Sequence, residues 1–423
     1  MRRRRLVVGL VLLLLLLALL ALGGYWALVF YAAMLAVGVA WLMTYPSLAR
    51  LRLERFVSDR EVEIGERVTV RVRILNAGAL PVAWLLLEDL VTPAIDTSSA
   101  RGELTWLSPG CEVKIEYQIL CSRRGYYRVG PLFAEAGDYF GLLRRFLAKP
   151  PIHYLTVRPR PLPIGALLVP TSRPVGEVRA PFALLDDPTR PAGVREYRRG
   201  DPLRRIHWKA TAHTGRLHSR VYEPAVIQGA SIVLDFHTAS WPEGRSGDSE
   251  LAVTTAASIA THLRDRNQQF ALVSNGLDGA RMIEDWPCEL DVSSREQAAE
   301  VLRRREPPER FEPVTVAPGR SAETLDLVLG ALARLHPGTG LTLEEMIARE
   351  HPAWPRELAA LLIVPELRES LMESIGILRG ARFPVAVIVV GGEAVASQVG
   401  NLRDAGVTLY HVPSEEAIAL LAL

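Results

Sequence analysis

A chain of 423 residues is too long for one ordinary domain of about 150 residues, and its 49% hydrophobic share is ample for real cores. Its 49 Lys and Arg against 47 Asp and Glu leave a net charge of only +2, so any electrostatic argument has to be local. Cys111, Cys121 and Cys288 form no paired framework, no CxxC and no zinc spacing, which fits a reducing compartment.

The chain begins MRRRR, followed by an apolar run from Leu6 to Leu22, Gly23-Gly24, and a second apolar run from Tyr25 to about Tyr45. Crossing a bilayer takes roughly 17 to 25 helical residues, so the two runs predict a transmembrane hairpin over residues 1–48. A secretory signal peptide is the rival reading, but no small-residue cleavage site follows the first run. Arg2 to Arg5 precede the hairpin and Arg50, Arg52, Arg55 and Arg60 follow it, while its turn is uncharged. Positive flanks stay inside, which predicts a cell-membrane protein with two spans and its remaining domains facing the cytoplasm.

Residues 49–160 change to short alternating runs. RVTVRVRIL alternates strictly, as a half-buried strand does, and AWLLLEDL, CEVKIEYQIL, GYYRVGPLFAEA and IHYLTVRP continue the series between Gly, Pro, Asn and Ser. Six or more short strands predict an antiparallel β-sandwich of immunoglobulin-like type. Residues 161–228 then read as a linker, rich in proline to about Pro191, followed by a basic motif.

From 229 to 423 apolar strands alternate with helices: GASIVLDFHTAS, a helix from about Glu250 to Arg266, QFALVSNG, helices around Arg295 to Arg305 and Ala322 to Leu335, LAALLIVPE, a helix near Leu367 to Leu378, PVAVIVVGG, a helix near Ala394 to Ala405, and GVTLYHV. This alternation predicts a largely parallel sheet covered on both faces. Ligands of such sheets sit beyond the strand C-termini, which singles out Asp235 and His237.

The basic motif, GVREYRRGDPLRRIHWKATAHTGRLHSRVYEP, closely resembles the signature of the family called domain of unknown function 58. Gly193, Arg195, Tyr197, Gly200, Asp201, Arg204, Ile206, His207, Trp208 and Leu217 stand at the matching positions. Upstream, RRGYYRVGPLFAEAGDYFGLLRR is similar to the end of that family's sandwich, with Tyr139 where a proline is common. The resemblance implies a von Willebrand factor A-like C-terminal domain. It also implies partnership with a MoxR-type AAA+ ATPase and a transglutaminase-like membrane protein, and it brings no established reaction.

Three chemistries compete for these residues. An adhesion-type site holds Mg²⁺ through oxygen ligands in the order D-x-S-x-S, but here the order is Asp235, Phe236, His237, Thr238, Ala239, so both serine positions have lost their hydroxyl. Asp235, His237 and Thr238, with Ser240, are the candidates if a metal binds there; otherwise Asp235 caps the next turn. Nucleic acid would need the arginines of the motif on one exposed face with Tyr197 or Trp208 free to stack. Gly200-Asp201-Pro202 reads instead as a turn and Ile206-His207-Trp208 as half-buried, with some arginines bridging inward to Glu196, Asp201 or backbone carbonyls as a clamp between domains. Catalysis has little to rest on: there is no G-x-S-x-G, no P-loop and no H-E-x-x-H. The sequence therefore predicts a non-enzymatic, membrane-anchored interaction protein that binds no nucleic acid and needs no cofactor. Arg195, Tyr197, Gly200, Asp201, Arg204, His207, Trp208 and Lys209 would shape its binding surface. The alternative is a Mg- or Mn-dependent ligand-binding protein working through the Asp235 site.

Overall fold

The computed structural model describes residues 24–91, 96–97, 102–139, 141, 143–149, 152–165, 186–197, 206–224, 229–241, 246–281, 296–297, 312–391, 407–419 and 421. Within these it omits the side chains of 42–43, 45–49, 96–97, 147–149, 186–192, 221–224 and 246. The chain divides into two compact units, 1–157 with 283–306, and 158–282 with 307–423.

The first unit opens with helix α1 (Tyr25–Ala49), 25 residues without a charged side chain. At 1.5 Å per residue it is about 37 Å long. Among the described residues no helix is long and apolar enough to cross a membrane, several side chains near the end of α1 falling outside them. The first expected span, Leu6 to Leu22, also lies outside the described residues. Tyr25, Trp26, Leu28, Leu35, Val37 and Trp41 are exposed along α1, whereas Ala40 and Thr44 are buried.

Two sheets follow. One has the order β1-β3-β7-β5, from Leu51–Val57, Arg67–Asn76, Glu112–Leu120 and Asp96–Thr97. The other runs β2-β10-β8-β4-β6, from Glu61–Glu63, His153–Arg158, Gly125–Gly137, Val82–Val91 and Gly102–Leu107, with β9 (Arg144–Lys149) pairing the second half of β8. The alternation in β3 does what its pattern demands: Val68, Val70, Val72 and Ile74 are buried while Arg67, Arg71 and Arg73 face outward. Val70 and Val72 share one core with Leu85 and Leu87 of β4 and Val129 and Leu155 of the same sheet. Antiparallel sheets facing across one apolar layer make the sandwich that the short strands predicted.

Inside that layer Arg55 of β1 ion-pairs with Asp89 of β4, both side chains fully buried. Arg55 Nε donates to Asp89 Oδ2 at 3.1 Å, Tyr117 Oη donates to the same oxygen at 2.7 Å, and Arg55 Nη1 reaches the carbonyl of Val129 at 3.4 Å. Gly130, at φ 102°, leaves room for the guanidinium, since a Cβ there would collide with it. Cys121 lies in the same core, where burial pushes its thiol up to about 11; Cys111 is exposed, and both are free.

The second unit carries a six-stranded sheet ordered β16-β14-β13-β18-β19-β20, from Val314–Gly319, Gln269–Ser274, Gly229–Leu234, Ala359–Val364, Val385–Val390 and Thr408–Val412. All neighbours are parallel except the edge strand β16. Helices α3 (Ser246–Asp265) and α4 (Ala322–Arg334) share one core with Ile232, Leu234, Leu361 and Ile363. Helices α5 (Leu343–Glu350) and α6 (Glu369–Gly380) share the other with Val233, Leu362 and Val364. Successive residues of each central strand thus serve opposite layers, which is why these strands read as unbroken apolar runs. Unforeseen were β16 and α5, although Thr342 and Glu345 close a reciprocal cap at the start of α5, each side chain taking the other's backbone N–H. The helices expected around Arg295 to Arg305 and Ala394 to Ala405 lie almost wholly outside the described residues.

Removing Asp89 strands a buried guanidinium, so Asp89→Ala should cost about 3–5 kcal/mol, read as an earlier midpoint in urea unfolding; a wild-type midpoint would show that the pair carries no such weight. In the second unit, burial first and the Arg266 charge second hold His262 below its ordinary 6.5, opposed by Asp265 and a backbone hydrogen bond. The unfolded chain then takes up this proton before the folded one, so stability falls as pH drops through about 6.5 and below. His262→Gln should flatten urea-measured stability between about pH 7.5 and 5.5; an unchanged slope counts against the assignment.

Candidate functional site

The basic motif lies in a β-hairpin that begins in the proline-rich stretch before it. Residues 186–196 form β11, which pairs antiparallel with β12 (His218–Pro224). The proline-rich stretch DDPTRP enters this strand, and the pairing slips on either side of Pro191, where proline lacks the N–H that the ladder needs. Between the strands stands helix α2 (Trp208–Thr214).

The residues of IHWKATAHTG divide sharply by role. Ile206 is buried and bridges Ser219. His207 donates its backbone N–H to the His218 carbonyl at 2.8 Å, and its Nδ1 accepts the Ala210 N–H at 3.0 Å, capping the helix. Thr211 Oγ1 accepts the His218 N–H at 3.0 Å, and Gly215 ends the helix in the left-handed conformation at φ 71°. These four hold the turn. Trp208 is displayed instead, 67% exposed at the first helical position, with Lys209 exposed beside it. Arg195 is also exposed, its Nη1 bonding the Glu196 carbonyl at 3.2 Å, and Tyr197 is half-buried, its N–H on the Leu217 carbonyl.

The expectation of a half-buried Trp208 is therefore corrected; the arginines do reach a backbone carbonyl and Glu196 as expected, but from the surface. Arg216 does meet Glu196 at 3.2 Å, but both side chains are largely solvent-exposed. A helix of only two turns has no interior in which to hide the ring that follows its cap. Gly200, Asp201 and Arg204 lie outside the described residues.

At the sheet, three adjacent strands bring a different set together. Asp235 follows β13 directly and is only 4% exposed. Its Oδ1 accepts the His237 N–H at 3.2 Å and the Asn275 Nδ2 amide at 3.0 Å. Asn275, just past β14, also donates to the Leu341 carbonyl at 3.2 Å and accepts the Phe236 N–H at 2.6 Å. Thr238 sends both its backbone N–H and its Oγ1 to the Gly338 carbonyl, at 2.8 and 3.0 Å. His237 Nδ1 accepts the Ala239 N–H at 3.1 Å. Beyond β18, Arg368 pairs with Glu366 at 2.8 Å and reaches Ser240 Oγ at 3.4 Å.

The candidate ligands are engaged in the protein's own hydrogen bonds. The hydroxyl of Thr238 donates to a carbonyl, His237 Nδ1 accepts a backbone amide, and a guanidinium approaches Ser240. Among the described residues no three His, Cys, Asp or Glu side chains converge as a metal site would need. Asp235 serves the turn after its own strand, and Asn275 staples three loops. Sequence reasoning passed over Asn275 and Arg368, whose only signal was their place just beyond strand ends.

A family model described as protein of unknown function DUF58 matches residues 193–314. The DUF58 match takes in the hairpin from Gly193 on, β13, α3 and β14, with Asp235, His237, Thr238, Ser240 and Asn275, and leaves outside it the sandwich and Gly338, Leu341, Glu366 and Arg368. No curated protein matches the chain by sequence. Solved structures similar to part of it include a CARDB domain from Pyrococcus furiosus, at 13% identity over 25% of this chain and 86% of that one, TM-score 0.19. Another is native alpha-2-macroglobulin from Escherichia coli, at 16% identity over 28% and 17%, TM-score 0.23. A human PapD-like domain matches at 15% identity over 27% and 87%, TM-score 0.19. Scores at this level add nothing to the fold described above.

If His207 is the cap of α2, His207→Ala should cost about 1 kcal/mol locally and speed amide exchange at Ala210 roughly fivefold, while His207→Asn, which keeps an acceptor, should stay near wild type. Equal exchange in all three proteins would remove the cap from the account.

Proposed function

We propose that this protein is a membrane-anchored interaction module that captures a protein partner on its α2 hairpin. The observation that carries the reading is the division of labour within the motif: Ile206, His207, Thr211 and Gly215 hold the helix and the return strand together through the hairpin's own hydrogen bonds, and Trp208 and Lys209 are left on the outside. Tryptophan is among the residues enriched at binding hot spots, and here its indole stands in solvent beside a cation. The surface is basic, so the partner face it suits is acidic.

The resemblance drawn from the motif points to a MoxR-type AAA+ ATPase as that partner, with a transglutaminase-like membrane protein nearby and the domains on the cytoplasmic side. The uncharged α1 and the arginines that follow it support anchoring. The sheet order, with strands three, two, one, four, five and six in sequence across the sheet and the third reversed, supports the von Willebrand factor A-like reading of the second unit.

Pull-down of the full chain from its native membrane, with and without ATP and Mg²⁺, tests the proposal. A AAA+ ATPase should be retained in a nucleotide-dependent manner. The double variant Trp208→Ala/Lys209→Ala should lose about tenfold or more of it with an unchanged melting temperature. Equal retention by the variant, or no ATPase under either condition, overturns the adaptor reading.

A further inference from the structure

The outer face of the six-stranded sheet carries an apolar surface that the sandwich does not use. Cross-strand partners point to the same face, and the register sets Phe146, Glu135, Leu86 and Leu104 in one row across β9, β8, β4 and β6. Trp106 stands two residues beyond Leu104 on the same side. Leu104 and Trp106 are 68% and 66% exposed, on an edge strand where polar side chains are the usual protection. The neighbouring ground on this face is covered. Phe133, outside the inner core yet fully buried, stacks on Phe146 at 6.0 Å, and α1 packs against β4, β8 and β9. Strands lie about 4.8 Å apart, so Leu104 and Trp106 sit one strand beyond the ground that α1 covers.

From that contact α1 carries its row of exposed apolar side chains, including Tyr25, Trp26, Leu28 and Leu35. At the other side of the face Arg144 lies over the Trp84 ring at 5.8 Å and pairs with Glu135 at 3.6 Å, its guanidinium still largely exposed. An apolar helix, an exposed indole and leucine, and an exposed guanidinium on one face are the set that a phospholipid interface receives: indole at the headgroup level, leucine toward the chains, arginine toward phosphate.

We infer that this outer face, through Leu104 and Trp106, lies against the lipid bilayer into which α1 inserts, so that the sandwich rests on the membrane surface and does not hang from it on a tether. The inference rests on the anchoring proposed above.

Spin labels separate the two ideas. Cys111 and Cys288 are replaced by Ala, while Cys121 stays, buried and with its thiol held protonated. Single cysteines are then placed at Leu35, Leu104, Trp106 and Arg71, the last on the outward face of the other sheet, in full-length protein reconstituted into phosphatidylcholine/phosphatidylglycerol vesicles. Labels at 35, 104 and 106 should favour oxygen over a water-soluble nickel chelate by several-fold relative to 71. If 35 is lipid-like while 104 and 106 match 71, the sandwich stands clear of the membrane and the inference fails with the anchor intact. If 104 and 106 are shielded from both reagents, protein covers the face, whether a second copy or another segment, and the inference also fails. A water-like label at 35 overturns the anchor and this inference with it.

Discussion

The first unit is organised around one charged contact in an apolar layer, the Arg55–Asp89 pair. Two sheets held only by valine and leucine are free to slide, because apolar contact has no direction. A buried guanidinium tolerates no such freedom, since losing its carboxylate leaves a charge without water. Arg55 comes from one sheet and Asp89 from the other; Tyr117 closes the ring from the first and the Val129 carbonyl from the second. With the strands locked in this register, Leu86, Leu104 and Trp106 are forced to the outer face, and Gly137 must stay bare because the Trp84 indole lies across it.

The second unit is tied by the hydrogen bonds of one side-chain amide at the same kind of strategic place. Parallel strands deliver their C-terminal loops to one edge, and Asn275 links the loops after β13 and β14 to the chain near Leu341. An edge built this way is closed by its own amides and carbonyls. The hairpin shows the reverse economy: its backbone is satisfied within a few residues, so its larger side chains are left for something else.

Much of this was legible in the chain. Alternation in RVTVRVRIL and the unbroken apolar runs of GASIVL, AALLIV and VAVIVV report how many faces of each strand are buried, and that is a local property of side-chain chemistry. The helix after Asp235 was equally plain. Less plain was β16: VTVAPG is neither strongly apolar nor strictly alternating, because an antiparallel edge strand buries little. Asp235 stood out in the sequence by its place after an apolar strand, with His237 and Ala239 where an adhesion-type site has serines. The partners of Asp235 and Ser240 were not readable, since Asn275 lies 40 positions from Asp235 and Arg368 farther still.

By itself the sequence determined the succession of architectures, from apolar runs through alternating strands to alternating strand and helix, because periodicity and composition act over a few residues. It also singled out the motif, whose spacing encodes a cap, a two-turn helix and a return strand. Only the tertiary structure decided which residues of that motif are scaffold and which are surface. It alone paired Arg55 with Asp89, closed the Asp235 edge with an amide, and left Leu104 and Trp106 uncovered. Each of these depends on groups distant in the chain meeting under one register, and nothing in a local pattern specifies which partner will be there.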